Sequence, residues 1–252
     1  MTQQHAVITG GGSGIGLACA SVFLSQGYQV SLLGRSESRL KDACQSLGEG
    51  SHYWVCDVTD ENSVAQAFDN ANGLAPINVA IANAGTGGAA PFLHTQSEDW
   101  DRILQTNVNG TFYTFKYAGT HMAANGGGAL CAISSIAGIR THKLMSAYCS
   151  SKAAIDMLVR NTADELGAQN IRVNSVGPGL VETELSAGLH QTDAMRNDYL
   201  SCMPIARVGQ PRDIAQAVYF LCSEQAAWIT GVTLPVDGGH HLRRGPNLEV
   251  MM

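Results

Sequence analysis

Short apolar strands alternate with longer helices along almost the whole of this chain. Residues 6–8 are predicted to form a strand, residues 15–24 a helix and residues 29–33 the next strand. The alternation continues through strands at 53–56, 79–82, 130–133, 171–176 and 232–236, and helices at 37–47, 61–71, 97–123, 146–166 and 213–222. Regular β-α-β alternation requires right-handed crossovers between parallel strands. The sequence therefore predicts one α/β domain over residues 1–252, with a doubly wound parallel sheet and helices on both faces.

The bulk composition fits such a sheet and narrows the function classes. The 252 residues are 45% hydrophobic and 14% charged, as expected for central strands that are covered on both faces. The net charge of -6 argues against a nucleic acid partner. The N-terminus lacks the basic and apolar regions of a secretory signal, and no apolar run reaches the ~18 residues that span a bilayer. We expect a cytoplasmic protein that binds neither nucleic acid nor membrane.

Two segments fall outside the alternation. Residues 181–204 form a long connection after a predicted strand, and such connections tend to act as lids or binding loops. We predict that this segment is a substrate lid. Residues 240–252 are predicted to form an extended C-terminal arm. The pair His240 and His241 lacks the carboxylate or thiolate companions of a metal site, so we expect a solvated tail and no bound metal.

A glycine-rich loop follows the first predicted strand. Residues 9–16 read Thr-Gly-Gly-Gly-Ser-Gly-Ile-Gly, with Gly10, Gly14 and Gly16 at G-x-x-x-G-x-G spacing. Glycine permits a tight turn and lets backbone amides approach a pyrophosphate at a helix N-terminus. The loop predicts a dinucleotide site in a Rossmann-type domain, formed by Gly10, Ser13, Gly14, Ile15 and Gly16.

The end of the second predicted strand bears on which dinucleotide binds. Gly34 stands where a carboxylate that binds the ribose diol of NAD is expected, and glycine cannot accept that hydrogen bond. Arg35 instead offers a guanidinium suited to a 2′-phosphate, with Ser36 beside it. The pattern favours NADP(H). NAD(H) stays possible, because an exposed arginine can also stack on adenine and the glycine loop carries no second basic residue.

A second group of residues follows the predicted strand at 130–133. Ser135 lies just beyond this strand, and Tyr148 and Lys152 lie four residues apart at the start of the next helix. Residues four apart share a helix face, so the Lys152 ammonium can lie beneath the Tyr148 phenol. We expect this charge to lower the phenol pKa from ~10 toward the range of an efficient acid. Hydroxyl and phenol would meet at the carboxyl edge of the sheet, where open α/β sheets bind ligands.

Together these motifs resemble the short-chain dehydrogenase/reductase family of the ~250-residue type, over nearly the whole chain. The resemblance implies four catalytic residues, namely Asn107, Ser135, Tyr148 and Lys152. The further cofactor contacts it implies are Asp57, Val58, Asn83, Ala84, Gly85, Tyr148, Lys152, Pro178, Gly179, Val181 and Thr183. It also implies a homotetramer built on the predicted helices at 97–123 and 146–166.

The implied reaction is the NAD(P)-dependent interconversion of a secondary alcohol and a ketone. Tyr148 would act as general acid and base, Ser135 would hydrogen-bond the substrate oxygen, and Asn107 would hold a water that connects Lys152 to solvent. The residues expected around the pocket are mostly apolar: Ala89, Ala90, Phe92, Ile139, Leu144, Met145 and Leu185. Such a lining favours a small hydrophobic substrate.

Three alternative functions are open at this stage. The first is a 3-oxoacyl-thioester reductase that acts on acyl carrier protein or coenzyme A thioesters. The second is a nucleotide-sugar epimerase or dehydratase, although such enzymes have a longer C-terminal substrate domain. The third belongs to another class, a redox sensor that binds NADP without turnover.

Overall fold

The computed structural model describes residues 3–190 and 192–243, which form a seven-stranded sheet with every strand parallel to its neighbours. The strands are β1 (His5–Thr9), β2 (Gln29–Gly34), β3 (Ser51–Val55), β4 (Val79–Ala82), β5 (Gly128–Ile133), β6 (Ile171–Pro178) and β7 (Thr233–Val236). Their order in the sheet is β3-β2-β1-β4-β5-β6-β7. The chain winds outward from β1 to one edge and then returns to build the other half from β4. This topology confirms the predicted doubly wound, Rossmann-type α/β fold.

Helices cover both faces of the sheet. The α-helices of the described residues are α1 (Gly14–Ser25), α2 (Glu37–Leu47), α3 (Glu61–Leu74), α4 (Ser97–Leu104), α5 (Gly110–Ala124), α6 (Ser146–Leu166), α7 (Asp193–Ser201) and α8 (Pro211–Cys222). Successive side chains of a strand point to opposite faces. In β1, Ala6 and Ile8 accordingly pack in the core beneath α1, α2 and α8, whereas Val7 packs beneath α3, α5 and α6. None of these described helices is long and apolar enough to cross a membrane.

The helix predicted at 97–123 is interrupted, so the prediction of one continuous helix is wrong. α4 ends at Leu104, and Gln105–Asn109 form a π-helical turn before α5 begins at Gly110. Asn107 in this turn is buried, and its side chain bonds residues outside the helix. The wider turn admits an extra residue where that side chain points inward. Apolar periodicity does not reveal such a turn, because the helical pattern continues on both sides of it.

Residues 181–204, the predicted lid, hold a 3₁₀ turn (Ala187–His190) and α7. Met195 and Tyr199 of α7 are buried in an apolar cluster with Leu180 and Met203. The segment therefore packs against the body of the protein through its own small core.

The start of the predicted C-terminal arm is folded. His240–Leu242 form a 3₁₀ turn, and the His240 side chain is fully buried beside the rings of Tyr199 and His142. The expectation of a solvated tail is wrong for His240, because the rings that cover it come from segments distant in sequence. Residues 244–252 of the arm lie outside the described residues.

His5 at the start of β1 makes the stability of the fold sensitive to pH. Burial lowers the pKa of His5 below 6.5 and outweighs the hydrogen bond between its Nδ1 and the Ala75 carbonyl oxygen. Its Nε2 lies 2.6 Å from Ser31 Oγ. Because the unfolded chain takes up this proton first, the histidine contributes stability above its unfolded pKa of 6.5 that is lost as pH falls below it.

We predict that His5→Gln reduces the loss of melting temperature between about pH 7.5 and about pH 5.5, since one protonation difference between the two states is removed. Thermal denaturation followed by circular dichroism at both pH values measures the effect. His94→Gln, at an exposed position, serves as control and should keep the parent slope. An equal slope in the parent and in His5→Gln would show that His5 does not carry the pH dependence.

Candidate functional site

The predicted site residues gather at the carboxyl edge of the sheet. β1, β4 and β5 end side by side in the sheet. The glycine loop, Asn83 and Ser135 follow these three ends, and Tyr148 lies in the first turn of α6. Residues that are far apart in sequence therefore share one cleft, because parallel strands all present their carboxyl ends at the same edge.

Ser135, Tyr148 and Lys152 are neighbours in this cleft. Lys152 Nζ lies 5.5 Å from the centroid of the Tyr148 ring and donates to the Ile133 carbonyl oxygen at 2.8 Å. The Ser135 hydroxyl hydrogen-bonds the Tyr148 phenol and accepts from the Ala137 amide at 3.1 Å. Ser135 and Lys152 are buried, while Tyr148 keeps part of its side chain exposed. The arrangement places a hydroxyl, a phenol and an ammonium where a ligand in the cleft can meet them.

Burial governs the ionisation of these side chains. It raises the pKa of the Tyr148 phenol, against the opposing effect of the hydrogen bond from Ser135. It also lowers the pKa of Lys152 to about 8, and the charge of Asp156 opposes that shift. The protein residues alone therefore do not produce the expected fall in the pKa of Tyr148. Removing the phenol from water raises this pKa by more than the neighbouring groups lower it.

Asp156 is a polar residue of this region that the sequence analysis missed. It lies one helical turn after Lys152 on α6 and is buried. Its Oδ1 accepts from Thr233 Oγ1 at 3.1 Å. Burial raises the pKa of Asp156, while its polar neighbours Ser134 and Thr233 and the charges of Arg160 and Lys152 oppose the shift. The available signal was its spacing, since a carboxylate four residues after a lysine shares its helix face.

Asn107 joins the loop after β4 to α6. Its Oδ1 accepts from the Thr86 amide at 2.8 Å, and its Nδ2 donates to the Thr86 carbonyl oxygen at 2.9 Å and to Ser151 Oγ at 3.0 Å. Gly85 lies between Asn107 and Lys152. A β-carbon on this glycine would stand 3.3 Å from Asn107 Oδ1 and 3.9 Å from Lys152 Nζ. The structure thus brings Asn107 beside Lys152, with its amide engaged in holding the loop.

The glycine loop is packed closely against the end of β4. Gly10 has a φ of +64°, and a β-carbon on Gly16 would stand 2.3 Å from the Gly10 carbonyl oxygen. Asn83 Nδ2 donates to the carbonyl oxygens of Thr9 and Gly10 at 3.0 and 3.1 Å. This cradle excludes side chains and leads into the N-terminus of α1, which is the geometry that binds a pyrophosphate. These residues fit a dinucleotide.

Around this cradle lie three further predicted contacts, Ser13, Ile15 and Ala84. Ser13 is the N-cap residue of α1 and makes no side-chain capping bond, and Ile15 belongs to the first turn of that helix. The Ala84 amide donates to Thr9 Oγ1 at 3.2 Å. All three therefore lie where the ends of β1 and β4 meet.

The region after β2 holds a basic residue that the sequence analysis missed. Arg35 and Ser36 are exposed between β2 and α2, as expected. Arg39, in the first turn of α2, donates from Nη1 to Glu184 Oε2 at 2.8 Å. A β-carbon on Gly12 of the glycine loop would stand 3.6 Å from Arg39 Cβ. A second basic residue therefore lies beside the glycine loop, and its position four residues after Arg35 at a helix start was the available signal.

The remaining predicted contacts flank the cleft. Asp57 Oδ1 accepts from the Thr59 amide at 2.9 Å and from Thr59 Oγ1 at 2.8 Å. Val58 is buried, and a β-carbon on Gly110 would stand 3.0 Å from its Cγ2. Both residues follow β3, on the β2 side of β1. The two hydrogen bonds from Thr59 fix the orientation of the Asp57 carboxylate.

Residues 178–183 connect β6 to the predicted lid. Pro178 ends β6, and a β-carbon on Gly179 would stand 2.8 Å from Asp237 Cβ. Val181 forms an isolated parallel bridge with Gly209. Thr183 Cγ2 lies 3.5 Å from the β-carbon position of Gly14. The predicted lid therefore begins directly over the glycine loop.

The region expected to hold a substrate lies beside Tyr148. A β-carbon on Gly87 would stand 3.6 Å from Tyr148 Cδ2 and 3.9 Å from Leu185 Cδ1. The Ala90 amide donates to the Leu144 carbonyl oxygen at 2.8 Å, and both residues line a cavity of about 310 Å³. The segment after β4 thus contacts the turn before α6, and both Gly87 of that segment and Leu185 of the predicted lid lie near the Tyr148 ring.

Comparison with known proteins extends these observations over the whole chain. A family model described as enoyl-(acyl carrier protein) reductase matches residues 10–241. Galactitol 2-dehydrogenase (L-tagatose-forming) of Cereibacter sphaeroides is 34% identical over 238 residues, which cover 93% of this chain and 94% of that protein.

Solved structures show the same similarity. A short-chain type dehydrogenase/reductase from Mycobacterium ulcerans is 37% identical with a TM-score of 0.96, covering 100% of this chain and 95% of its own. A 7α-hydroxysteroid dehydrogenase complexed with NADH and 7-oxo glycochenodeoxycholic acid is 36% identical with a TM-score of 0.89, covering 94% of this chain and 93% of its own. The likeness therefore includes the sheet and the cleft together.

We predict that Asn107→Ala lowers the free energy of unfolding by about 1–3 kcal/mol, because the Thr86 amide and carbonyl oxygen lose their hydrogen-bond partners and the buried Ser151 hydroxyl loses one of its two. Urea denaturation of the purified variant measures the loss. The matched control is Asn125→Ala at the exposed end of α5, where Nδ2 bonds Asn72 Oδ1 at 3.1 Å, and its effect should stay within about 0.5 kcal/mol. Similar losses in the two variants would refute the structural role of Asn107.

Proposed function

The chain belongs to the short-chain dehydrogenase/reductase family of oxidoreductases, and from this premise we propose that it interconverts a hydrophobic secondary alcohol and its ketone. The observation that carries the proposal is that Ser135, Tyr148 and Lys152 are neighbours in the cleft, with Leu185 near the Tyr148 ring. Dehydrogenases of this family use NAD or NADP. We propose NADP(H) as the preferred cofactor, with NAD(H) as the alternative.

Three parts of the cleft would hold the cofactor. The pyrophosphate would lie on the glycine loop and the α1 N-terminus, through Gly10, Ser13, Gly14, Ile15 and Gly16. The adenosine half would meet Arg35, Ser36, Asp57 and Val58, and the nicotinamide half would meet Asn83, Ala84, Gly85, Tyr148, Lys152, Pro178, Gly179, Val181 and Thr183. The bound nicotinamide supplies or accepts the hydride, while the protein orients the substrate and moves the proton.

Proton transfer is assigned to Tyr148. Burial raises the pKa of Tyr148, so the phenol stays protonated at neutral pH, which is the form that ketone reduction needs. In that direction, Ser135 would donate a hydrogen bond to the substrate oxygen as negative charge develops there. Tyr148 would then release its proton to this oxygen, and the Lys152 ammonium beneath the ring would stabilise the phenolate. Asn107 would hold the loop and the water through which Lys152 reaches solvent.

An apolar substrate is favoured by the surroundings of Tyr148. Leu185 approaches the ring across Gly87, and Leu144 contributes to the turn before α6. The relatives alone do not decide between substrate classes, because one bears the name of a polyol dehydrogenase and another holds a steroid. These aliphatic side chains favour an aryl, alicyclic or steroid-like ketone over a sugar.

The second candidate is a 3-oxoacyl-thioester reductase, which similarity to a 3-oxoacyl-[acyl-carrier-protein] reductase of Chlamydia muridarum, 33% identical over 244 residues, favours. An acidic carrier protein needs basic residues at the mouth of the site. The net charge of -6 opposes such a partner. His121 near the end of α5 already pairs with Asp69 at 3.0 Å. We therefore place free ketones first.

We further propose a cytoplasmic homotetramer whose protomers are single domains with a lid at 181–204. The exposed apolar side chains of Phe112 on α5 and Met157 on α6 support this assembly. Helices that are apolar on an outward face need a second partner to cover them.

The first test of this function is whether the protein reduces ketones and whether the rate depends on Tyr148. Purified protein with NADPH and a panel of aryl and alicyclic ketones should consume the reduced cofactor, followed by its absorbance. Tyr148→Phe should lower the rate on the order of 10²-fold or more, because only the proton donor is lost. Tyr53→Phe removes a phenol that bonds Glu37 at the surface and serves as control. A Tyr148→Phe rate above about a tenth of the parent would refute the mechanism.

The same assay separates the alternatives. If acetoacetyl carrier protein or acetoacetyl coenzyme A shows a higher kcat/KM than every free ketone, the thioester reductase is the correct function. If NADPH binds but no ketone, alcohol or thioester is turned over, the non-catalytic sensor is favoured.

Cofactor choice is tested at Arg35. Arg35→Ala should weaken NADPH binding by about 10-fold or more and NADH binding by less than about 2-fold, since only the 2′-phosphate loses a charge-assisted contact. Fluorescence titration gives both dissociation constants without turnover. Gly34→Asp should move the preference toward NADH by adding a diol acceptor and repelling the phosphate. Equal effects of Arg35→Ala on both cofactors would mean that its guanidinium does not bind the phosphate.

A further inference from the structure

A strained turn lies just before Tyr148. Residues 142–145 form a turn closed by a hydrogen bond from the Met145 amide to the His142 carbonyl oxygen at 3.2 Å. Its third residue, Leu144, has a φ of +67°. Glycine or asparagine normally occupies such a position, because a β-carbon there crowds the backbone. Among the other described non-glycine residues, only Asn170 has a positive φ, and asparagine tolerates it.

Leu144 is the point at which three segments of the cleft meet. Its carbonyl oxygen accepts from the Ala90 amide at 2.8 Å, which ties the turn to the segment after β4. Its side chain packs against the cluster that contains Met195 and Tyr199 of α7. The next residue, Met145, is the N-cap of α6. A strained backbone persists only when its surroundings demand it, and here three separate elements do so.

The cluster that receives the Leu144 side chain borders the proposed reaction centre. Burial raises the pKa of Tyr199, and the proximity of Tyr148 adds to the shift. Leu185 from the same lid segment approaches the Tyr148 ring across Gly87. The width of the space beside the Tyr148 ring therefore depends on the position of the lid segment, which carries both Leu185 and α7.

We propose that Leu144 is a specificity-determining residue. Its left-handed backbone directs an aliphatic side chain onto α7, and this contact holds the lid segment at a width that admits a monocyclic ketone better than a larger one. The proposal rests on the proposed ketone reductase function and adds the residue that sets substrate size. Glycine would relax the backbone but would leave α7 without its contact.

Three substitutions at Leu144 separate backbone strain from side-chain packing. Leu144→Gly relieves the strain and removes the side chain, Leu144→Ala keeps the strain and removes most of the side chain, and Leu144→Met restores the bulk. We expect Leu144→Gly to melt about 2–4 °C above Leu144→Ala, the reverse of the order at an ordinary position. An exposed control, Leu74→Ala at the end of α3, should change neither the substrate size preference nor the amide hydrogen exchange of α7.

The first measurement is substrate size preference. In both Leu144→Gly and Leu144→Ala, the ratio of kcat/KM for cyclohexanone to that for 2-decalone should fall by about 10-fold, through KM more than kcat. Leu144→Met should recover most of the lost ratio relative to alanine. An unchanged ratio in both small variants would overturn the proposal. A loss confined to Leu144→Ala would also overturn it, because backbone strain would then be the cause.

The second measurement does not depend on activity. Amide hydrogen exchange within residues 193–201 should be faster in both small variants than in the parent, because α7 has lost its contact. If the parent reduces no ketone, the proposed function fails, and faster exchange still supports the contact between Leu144 and α7. Unchanged exchange in both small variants would overturn the inference whatever the kinetics show.

Discussion

The position of β1 in the sheet is the constraint on which the cleft depends. β1 pairs with β2 on one side and β4 on the other, so the connections that leave β1 and β4 wind to opposite faces and part above the sheet. The glycine loop enters this gap. Asn83 then binds the loop through the carbonyl oxygens of Thr9 and Gly10, and no β-carbon fits at Gly16. The strand order around β1 and the close contact of Asn83 with the glycine loop together determine the shape of the predicted nucleotide-binding side of the cleft.

The reactive side of the cleft depends on a buried ammonium. Taking a charge out of water is costly unless partners compensate. Lys152 donates to the Ile133 carbonyl oxygen, lies against the Tyr148 ring and is stabilised by the charge of Asp156. Because the pKa of Lys152 is still lowered to about 8, these partners offset only part of the cost of burying its charge. Asp156 Oδ1 also accepts from Thr233 Oγ1 of β7 at 3.1 Å. One buried carboxylate therefore contributes to the charge balance beneath the phenol and binds the edge strand of the sheet.

The strands and most helices could be predicted because they follow local patterns. Short apolar runs separated by glycine-containing turns predict the parallel sheet. The bounds of α2 and α6 match those expected from the sequence. The π-helical turn at Asn107 could not be predicted in this way. It forms because an inward side chain binds Thr86 and Ser151, and these partners lie on other elements. His240 is similar, because its burial depends on rings contributed by Tyr199 and His142.

The amino-acid sequence by itself determined the fold class, the glycine loop and the spacing of Tyr148 and Lys152, because each is a property of nearby residues. Tertiary structure alone decided how those side chains ionise, since the direction of the phenol pKa comes from burial by distant segments. It also decided the pairing of Arg39 with Glu184 across the glycine loop. Tertiary structure likewise decided the left-handed backbone conformation of Leu144. Its local sequence disfavours that conformation, which is held by packing against the cluster that includes Met195 and Tyr199 and by the hydrogen bond from the segment after β4.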